Sequence, residues 1–286
     1  MRAPSQVPAI QLNSGTEIPQ LGFGVFLIPP EETEAAVRQA LEIGYRHIDT
    51  AQMYGNERQV GEAVRASGLR RHEVFVTSKL SNRWHATDEA VRAFDRSLEE
   101  LGLDHVDLFL IHWPLATVRD FMDAWRALER VHREGRARAI GVSNFQPAHL
   151  ERLLAEGEVA PAVNQIEVHP YLVQDPLRAV GAAHGIVTEA WSPIGRGKVL
   201  ADPVVTEVAQ KVGRTPAQVV LRWHLQRGDV IFPKSSHAER MRENFALFDF
   251  ELDERDMARL TGLDRGERIG PDPDHFAMVP PDPAPS

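Results

Sequence analysis

The sequence predicts an α/β fold, a (β/α)8 barrel of the TIM type, with an N-terminal β-hairpin and a C-terminal loop over the barrel mouth. Short apolar runs alternate with longer amphipathic ones along nearly the whole chain. After the hairpin there are eight such runs, and no glycine fingerprint for a phosphate follows the first of them. Alternation of this kind implies parallel strands joined by helical crossovers, and eight units in roughly 250 residues is the size of a closed barrel. The rival is a doubly wound open sheet. It requires three spaced glycines and an immediate helix start after the first strand, whereas "GFGVFLIP" offers two glycines and neither.

The hairpin is read from "AIQLNSGTEIPQL", two apolar stretches around a polar, glycine-containing turn. The eight strands are expected at 20–24, 45–49, 74–79, 106–112, 137–143, 162–167, 187–191 and 230–234, runs rich in Val, Ile and Phe. Between them lie helical patterns such as "PEETEAAVRQALEIG" and "DEAVRAFDRSLEELG"; proline opens the first, and Gly44 and Gly102 close them. The proline-rich ending "PDPDHFAMVPPDPAPS" can neither continue a helix nor pair centrally in a sheet, so residues from about 266–286 are expected to form an extended tail or lid. No internal repeat or linker interrupts the rhythm, and a single domain over 1–286 is expected.

Composition limits the function classes. The chain has 286 residues, 43% of them hydrophobic, enough to bury a full core. A formal net charge of -9 argues against a general binder of nucleic acid or anionic membrane, which needs a basic surface. Cysteine is absent, which removes disulfides, thiolate catalysis and cysteine-bound metal; no metal site is expected. The start "MRAPSQVPAI" lacks the apolar core of a secretory leader, and no uncharged run reaches the roughly 20 residues that span a bilayer. A cytoplasmic monomer acting on a small molecule is the expectation.

In an eight-fold barrel the loops after each strand surround one mouth, so strand ends far apart in sequence converge. Here they are Asp49, Lys79, His112, Ser143 with Asn144, Gln165, Trp191 and Lys234, with Tyr54 in the second loop. Each has an ordinary structural explanation by itself: a cap or turn for Asp49, a solvated strand-end lysine, a core histidine bonded to backbone, a packed loop tyrosine. As a group they form a proton-donating device. A phenol with a pKa near 10 is a sluggish acid at neutral pH unless a cation favours its anion; Lys79 is that cation, and Asp49 keeps the buried lysine charged. His112, neutral, would direct a carbonyl oxygen toward Tyr54. The group holds no electron source, so carbonyl reduction would need a hydride-carrying cofactor. Ser143, Asn144 and Gln165 offer hydrogen bonds for a carboxamide and Trp191 a flat face for a heteroaromatic ring. Lys234, Ser235 and Arg240 lie where the eighth strand runs into a helix start, an anion site that suits a ribose 2′-phosphate and favours NADPH over NADH.

At this point the pattern resembles the aldo-keto reductase family. "LGFGVF", "GYRHIDTAQMYGNE", "VFVTSKL", "LGLDHVDLFLIHWP", "GVSNF", "PAVNQIEVHP", "WSPIG" and "FPKSSHAERMRENF" occur in the family's order from Leu21 to Phe245. The resemblance implies NADPH-dependent reduction of aldehydes, ketones or diketones, with Tyr54 as general acid, Lys79 and Asp49 behind it and His112 orienting the substrate. It also implies that Ser143, Asn144 and Gln165 hold the nicotinamide amide, that Trp191 stacks on the ring, and that Ser192, Ile194 and Gly195 follow the pyrophosphate. Lys234, Ser235 and Arg240 would take the 2′-phosphate, with Glu243 and Asn244 near the adenine. Tryptophan at 191 and the "GPDPDHF" ending look like the bacterial branch that includes 2,5-diketo-D-gluconate reductases. Two departures bear on specificity: Ser81 stands where many relatives have tryptophan, with Trp84 three residues later, and His237 stands where a small residue is common.

The substrate pocket is expected to be lined by Phe23, Val25, Phe26, Trp84 and Trp113 and, from the tail, His275 and Phe276, mostly apolar walls that discriminate weakly between similar carbonyls. Two other readings compete. An NADPH-binding regulatory barrel would keep the cofactor residues with little turnover, but the whole proton-donating group is intact. A Schiff-base aldolase would need Lys79 neutral, and the Asp49 partner pushes the other way.

Overall fold

The computed structural model describes residues 7–281; residues 1–6, part of the stretch read above for a leader, and 282–286, the end of the predicted tail, lie outside the described residues. Strands β1 (Ala9–Gln11) and β2 (Glu17–Pro19) form the predicted antiparallel hairpin. Eight parallel strands follow: β3 (Phe23–Gly24), β4 (His47–Asp49), β5 (Phe75–Leu80), β6 (Val106–Ile111), β7 (Ala137–Ser143), β8 (Val163–Glu167), β9 (Val187–Trp191) and β10 (Val230–Ile231). Each pairs with its neighbours in sequence. The ring closes where Leu21 bridges Ile231 in parallel, with Gly22 N donating to Ile231 O at 2.7 Å and Ile231 N to Gln20 O at 3.0 Å. The (β/α)8 barrel and its hairpin are therefore as the sequence predicts, while β3 and β10 are shorter than their apolar runs. Pro233 accounts for the second case, because a residue with no N–H cannot extend a ladder.

Helices α1 (Pro30–Ile43), α2 (Glu57–Ala66), α3 (Thr87–Leu101), α4 (Phe121–Arg133), α5 (Pro147–Glu156), α6 (Asp175–Ala183), α7 (Pro203–Val212), α8 (Pro216–Gln226), α9 (Ala238–Phe245) and α10 (Glu254–Thr261) accompany the barrel. α1 begins with Pro30, Glu31 and Glu32, a pre-set φ and two negative charges where the helix dipole is positive. Gly102 ends α3 in the left-handed region at φ 59°, where a Cβ is penalised. α2 approaches the end of α3 so closely that a Cβ on Gly61 would lie 1.8 Å from Leu101 O.

Side chains alternate across each strand, and the alternation sorts the barrel interior into layers. Leu12 and Ile18 of the hairpin pack with Phe75, Leu108, Leu110, Ala139, Val163 and Val230, closing the floor in apolar contact. Two residues further along the same strand faces the interior turns polar: His47, Thr77, Lys79, Asp49, Gln165 and Glu189 are all buried. The opposite strand faces, with Ile48, Val76, Phe109, Ile111 and Val142, join the helices in the main core.

From Asp264 to Pro281 the chain has no helix or strand. It is fastened over the strand ends: the Glu167 carboxylate accepts from the backbone N–H of Ile269 (2.6 Å) and Gly270 (3.0 Å), and Asn82 Nδ2 donates to Met278 O (2.9 Å). The expected loop over the mouth is thus present through Pro281.

Candidate active site

β4 and β5 are adjacent and in register, Asp49 opposite Thr77, which brings Asp49 and Lys79 to the same end of the barrel. Lys79 Nζ lies 2.7 Å from Asp49 Oδ1, 2.9 Å from Thr50 O and 3.3 Å from Tyr54 Oη. Its three hydrogens therefore have three acceptors. Tyr54 ends a short 3-10 turn (Gln52–Tyr54) that Gly55 closes at φ 67°. Gln52 ties that turn down, donating to Ala93 O and Ser97 Oγ, both at 2.8 Å, and accepting from Ser81 N at 2.7 Å. His112, one residue beyond β6, sets its ring 5.7 Å from that of Tyr54, edge to face.

The electrostatics follow from burial and from one ammonium. Burial alone would lower the Lys79 pKa, but the charges of Asp49 and Tyr54 and the hydrogen bonds to them together outweigh that and the value is raised. Burial pushes the Asp49 carboxyl up, against the pull of Lys79. Burial likewise pushes the Tyr54 phenol above its ordinary value, although Lys79 pulls it down. Lys79 thus favours the phenolate as expected, but loss of water costs the anion more than the ammonium returns, and the net direction is upward. The phenol therefore keeps its proton, with the Lys79 ammonium 3.3 Å from its oxygen. Burial, then the charge of Lys79, holds His112 well below its ordinary value, so the imidazole is neutral. Its Nδ1 is buried with no hydrogen-bond partner among the described residues.

A second group adjoins the first. Asn144, at φ 65°, donates from Nδ2 to His112 O (3.0 Å) and Ser143 Oγ (3.1 Å), and its Oδ1 accepts from Trp191 Nε1 at 2.8 Å. Ser143 Oγ donates to Gln165 O at 2.8 Å, and Gln165 Nε2 donates to Asp49 Oδ2 at 2.8 Å and Glu189 Oε2 at 2.9 Å. What these side chains retain for a ligand is mainly oxygen lone pairs, the acceptor set that a primary amide N–H2 requires. The half-buried Trp191 ring is held in plane by Asn144 and touched by the tail, where a Cβ on Gly270 would lie 2.4 Å from Trp191 Cη2. Ser192 (φ 50°) and Gly195 (φ 57°) shape the loop after β9, beside the partly buried Ile194.

On the segment after β10, Lys234 and Arg240 are exposed and have no ion-pair partner among the described residues, while Ser235 is buried. Ser235 Oγ accepts from His237 N at 3.0 Å. Glu243 is engaged by Thr215 Oγ1 at 2.6 Å, and Asn244 is buried beside it on α9.

The predicted pocket lining divides. Phe26 stacks on Tyr54 (centroids 5.0 Å apart) and Phe276 on Trp113 (4.2 Å). Phe23 and Val25 do not line a pocket: they are fully buried in the core shared with the helices, Phe23 edge-on to Tyr45. The register explains this, since Phe23 pairs with the outward Ile48 and Gly24 with the inward Asp49. Trp84 lines a separate cleft of about 440 Å3 with Gln52, Met53 and Ser97, stacked on Arg83 and Arg96. His275 projects into solvent, its side chain 84% exposed, and interacts with Asp272. The Glu167 latch and the carboxyl of Glu189 are not conspicuous in the sequence. Strand parity was the available signal, because Glu167 and Glu189 stand two residues after and two before inward-facing positions, Gln165 and Trp191.

The chain is thus a closed (β/α)8 barrel with a phenol, ammonium, carboxylate and imidazole gathered at its strand ends. The chain belongs to the aldo/keto reductase family, whose model matches residues 20–265. It is 51% identical over 279 residues to a morphine 6-dehydrogenase of Pseudomonas putida, covering 93% of this chain and 94% of that one. It is 46% identical over 270 residues to the methylglyoxal reductase DkgA of Salmonella typhimurium, covering 93% and 97%. The structure matches that of a Bombyx mori aldo-keto reductase in complex with NADP with a TM-score of 0.88 at 38% identity, covering 94% and 96%.

Proposed function

We propose that this chain is an NADPH-dependent carbonyl reductase in which Tyr54 is the general acid. The observation that carries the reading is Lys79, within hydrogen-bond distance of Asp49 and Tyr54 at once. Bound NADPH would supply the hydride. The chain's own residues do the rest. Tyr54 holds the proton that the developing alkoxide takes, Lys79 stabilises the phenolate left behind, and Asp49 keeps Lys79 charged. His112, neutral, directs the carbonyl oxygen toward Tyr54. The donors and acceptors present fit the cofactor: the oxygens of Ser143, Asn144 and Gln165 suit its carboxamide and Trp191 its ring. Ser192, Ile194 and Gly195 would follow the pyrophosphate; Lys234, Ser235 and Arg240 would bind the 2′-phosphate, with Glu243 and Asn244 beside the adenine. The cations Lys234 and Arg240, without ion-pair partners among the described residues of a chain of net charge -9, support that placement.

Phe26 beside Tyr54, with Trp113 and Phe276, would form apolar walls for the pocket, which suits small aldehydes, ketones and diketones; methylglyoxal and 2,5-diketo-D-gluconate are the substrates we propose first. Residues 1–286 are proposed to act as one domain. The test is NADPH oxidation with those two compounds and an aromatic aldehyde. Turnover of at least one supports the reading; tight NADPH binding without turnover on any carbonyl would favour a regulatory barrel instead.

A further inference from the structure

The polar layer of the barrel holds two buried carboxyls, Asp49 and Glu189, and one ammonium, Lys79. All three Lys79 hydrogens are directed at Asp49, Thr50 and Tyr54, and none reaches Glu189. Glu189 Oε2 accepts from Gln165, and Oε1 is buried without a hydrogen-bond partner. His47 faces that oxygen, its Nε2 3.9 Å away and itself bonded to Thr77 Oγ1 at 3.0 Å. An ionised carboxylate with one oxygen bare in a closed interior is strongly disfavoured. The titratable groups around Glu189 are Asp49, Lys79 and His47, and burial holds His47 down to about 3, hence neutral.

We propose that Glu189 is a positioning residue that works as a neutral carboxylic acid, holding Gln165 by its carbonyl oxygen and leaving Asp49 as the one anion of that polar layer among the described residues. A primary amide has two N–H bonds, and Asp49 and Glu189 take both, so Gln165 can offer the mouth only its own oxygen. That orientation matches the carboxamide N–H2 of the cofactor, and in this respect the inference rests on the reductase reading. Ionisation of Glu189 would put a second negative charge beside Asp49, compete for Lys79 and hold the Tyr54 proton back. Burial, reinforced by the charge of Asp49, pushes the Glu189 pKa up to about 8.

Infrared spectra of the cofactor-free protein test the protonation state directly. The difference between wild type and Glu189→Gln should contain a protonated-carboxyl stretch at pH 6 that disappears above about pH 8. Glu57→Gln identifies the separate band of Glu57, whose burial pushes it to about 7. A difference spectrum with only carboxylate bands at pH 6 would overturn the neutral-acid assignment, whether or not the barrel proves to be a reductase. The positioning role is read from NADPH affinity by tryptophan fluorescence. Glu189→Gln, which keeps the acceptor, should bind as wild type does at pH 7 and lose the weakening above pH 8, while Glu189→Ala should bind about tenfold more weakly through the lost hydrogen bond. Glu189→Gln weakened at pH 7, or retaining the wild-type pH profile, would overturn it; these outcomes do not depend on Glu189→Ala folding.

Discussion

Asp49 and Lys79 form a buried ion pair, 2.7 Å long, with the lysine 0% and the aspartate 2% exposed at the side chain. In such a setting the pair's value lies in what happens when one partner is removed: an isolated buried charge costs about 3–5 kcal/mol. Asp49→Asn is therefore predicted to lower stability by that order and to let burial drive Lys79 toward its neutral form. Tyr54 then loses its cation. Denaturant unfolding and the pH dependence of turnover check both effects, and a variant with unchanged stability and profile would show that the pair does not hold the ammonium.

The pH dependence of stability separates Glu189 from its surroundings. Its folded pKa is raised from 4.5 to about 8, so the native state keeps a proton that the unfolded chain has released. Stability contributed by Glu189 is thus full below pH 4.5 and declines as pH rises toward about 8, by at most about 1.4 kcal/mol per pH unit. Glu189→Gln has no such proton. Its unfolding free energy relative to wild type should improve between pH 5 and pH 8, a trend measurable by chemical denaturation at both values.

For the cofactor, Lys234→Ala with Arg240→Ala should weaken NADPH by about tenfold or more while leaving NADH nearly unchanged, because only the 2′-phosphate would lose its charge-assisted bonds. Titration of both nucleotides decides this. Equal weakening would remove these residues from the 2′-phosphate site.

Gly61→Ala is predicted to be among the costly small substitutions in the helical shell. The added methyl would meet Leu101 O at 1.8 Å, and α2 and α3 must part to admit it, at a cost of about 1–3 kcal/mol. A Tm within error of wild type would contradict the close approach.

Much of this is legible in the sequence, for identifiable reasons. The apolar runs that become β5 to β9 sit between helical patterns with clear stop signals, so their order and direction follow. Asp49, Lys79 and His112 were visible because polar residues ending apolar strands are conspicuous. The pocket wall was less so: Phe23 and Val25 stand near a strand end but on its outward side, and only the pairing with β4 reveals the parity. Glu189 lay hidden inside a strand flanked by Thr188 and Ala190, where a single acid looks incidental until Gln165 and Asp49 are seen around it. Glu167 was unreadable as a latch, since its partners are backbone N–H groups about a hundred residues away.

The most direct measurement is turnover and NADPH binding of Tyr54→Phe beside wild type, on whichever carbonyl wild type reduces fastest. Removing one hydroxyl that acts in the transition state should lower kcat by about 100-fold or more and leave the Kd for NADPH nearly unchanged. A variant that retains most of its turnover, or that loses NADPH binding instead, would contradict Tyr54 as the proton donor.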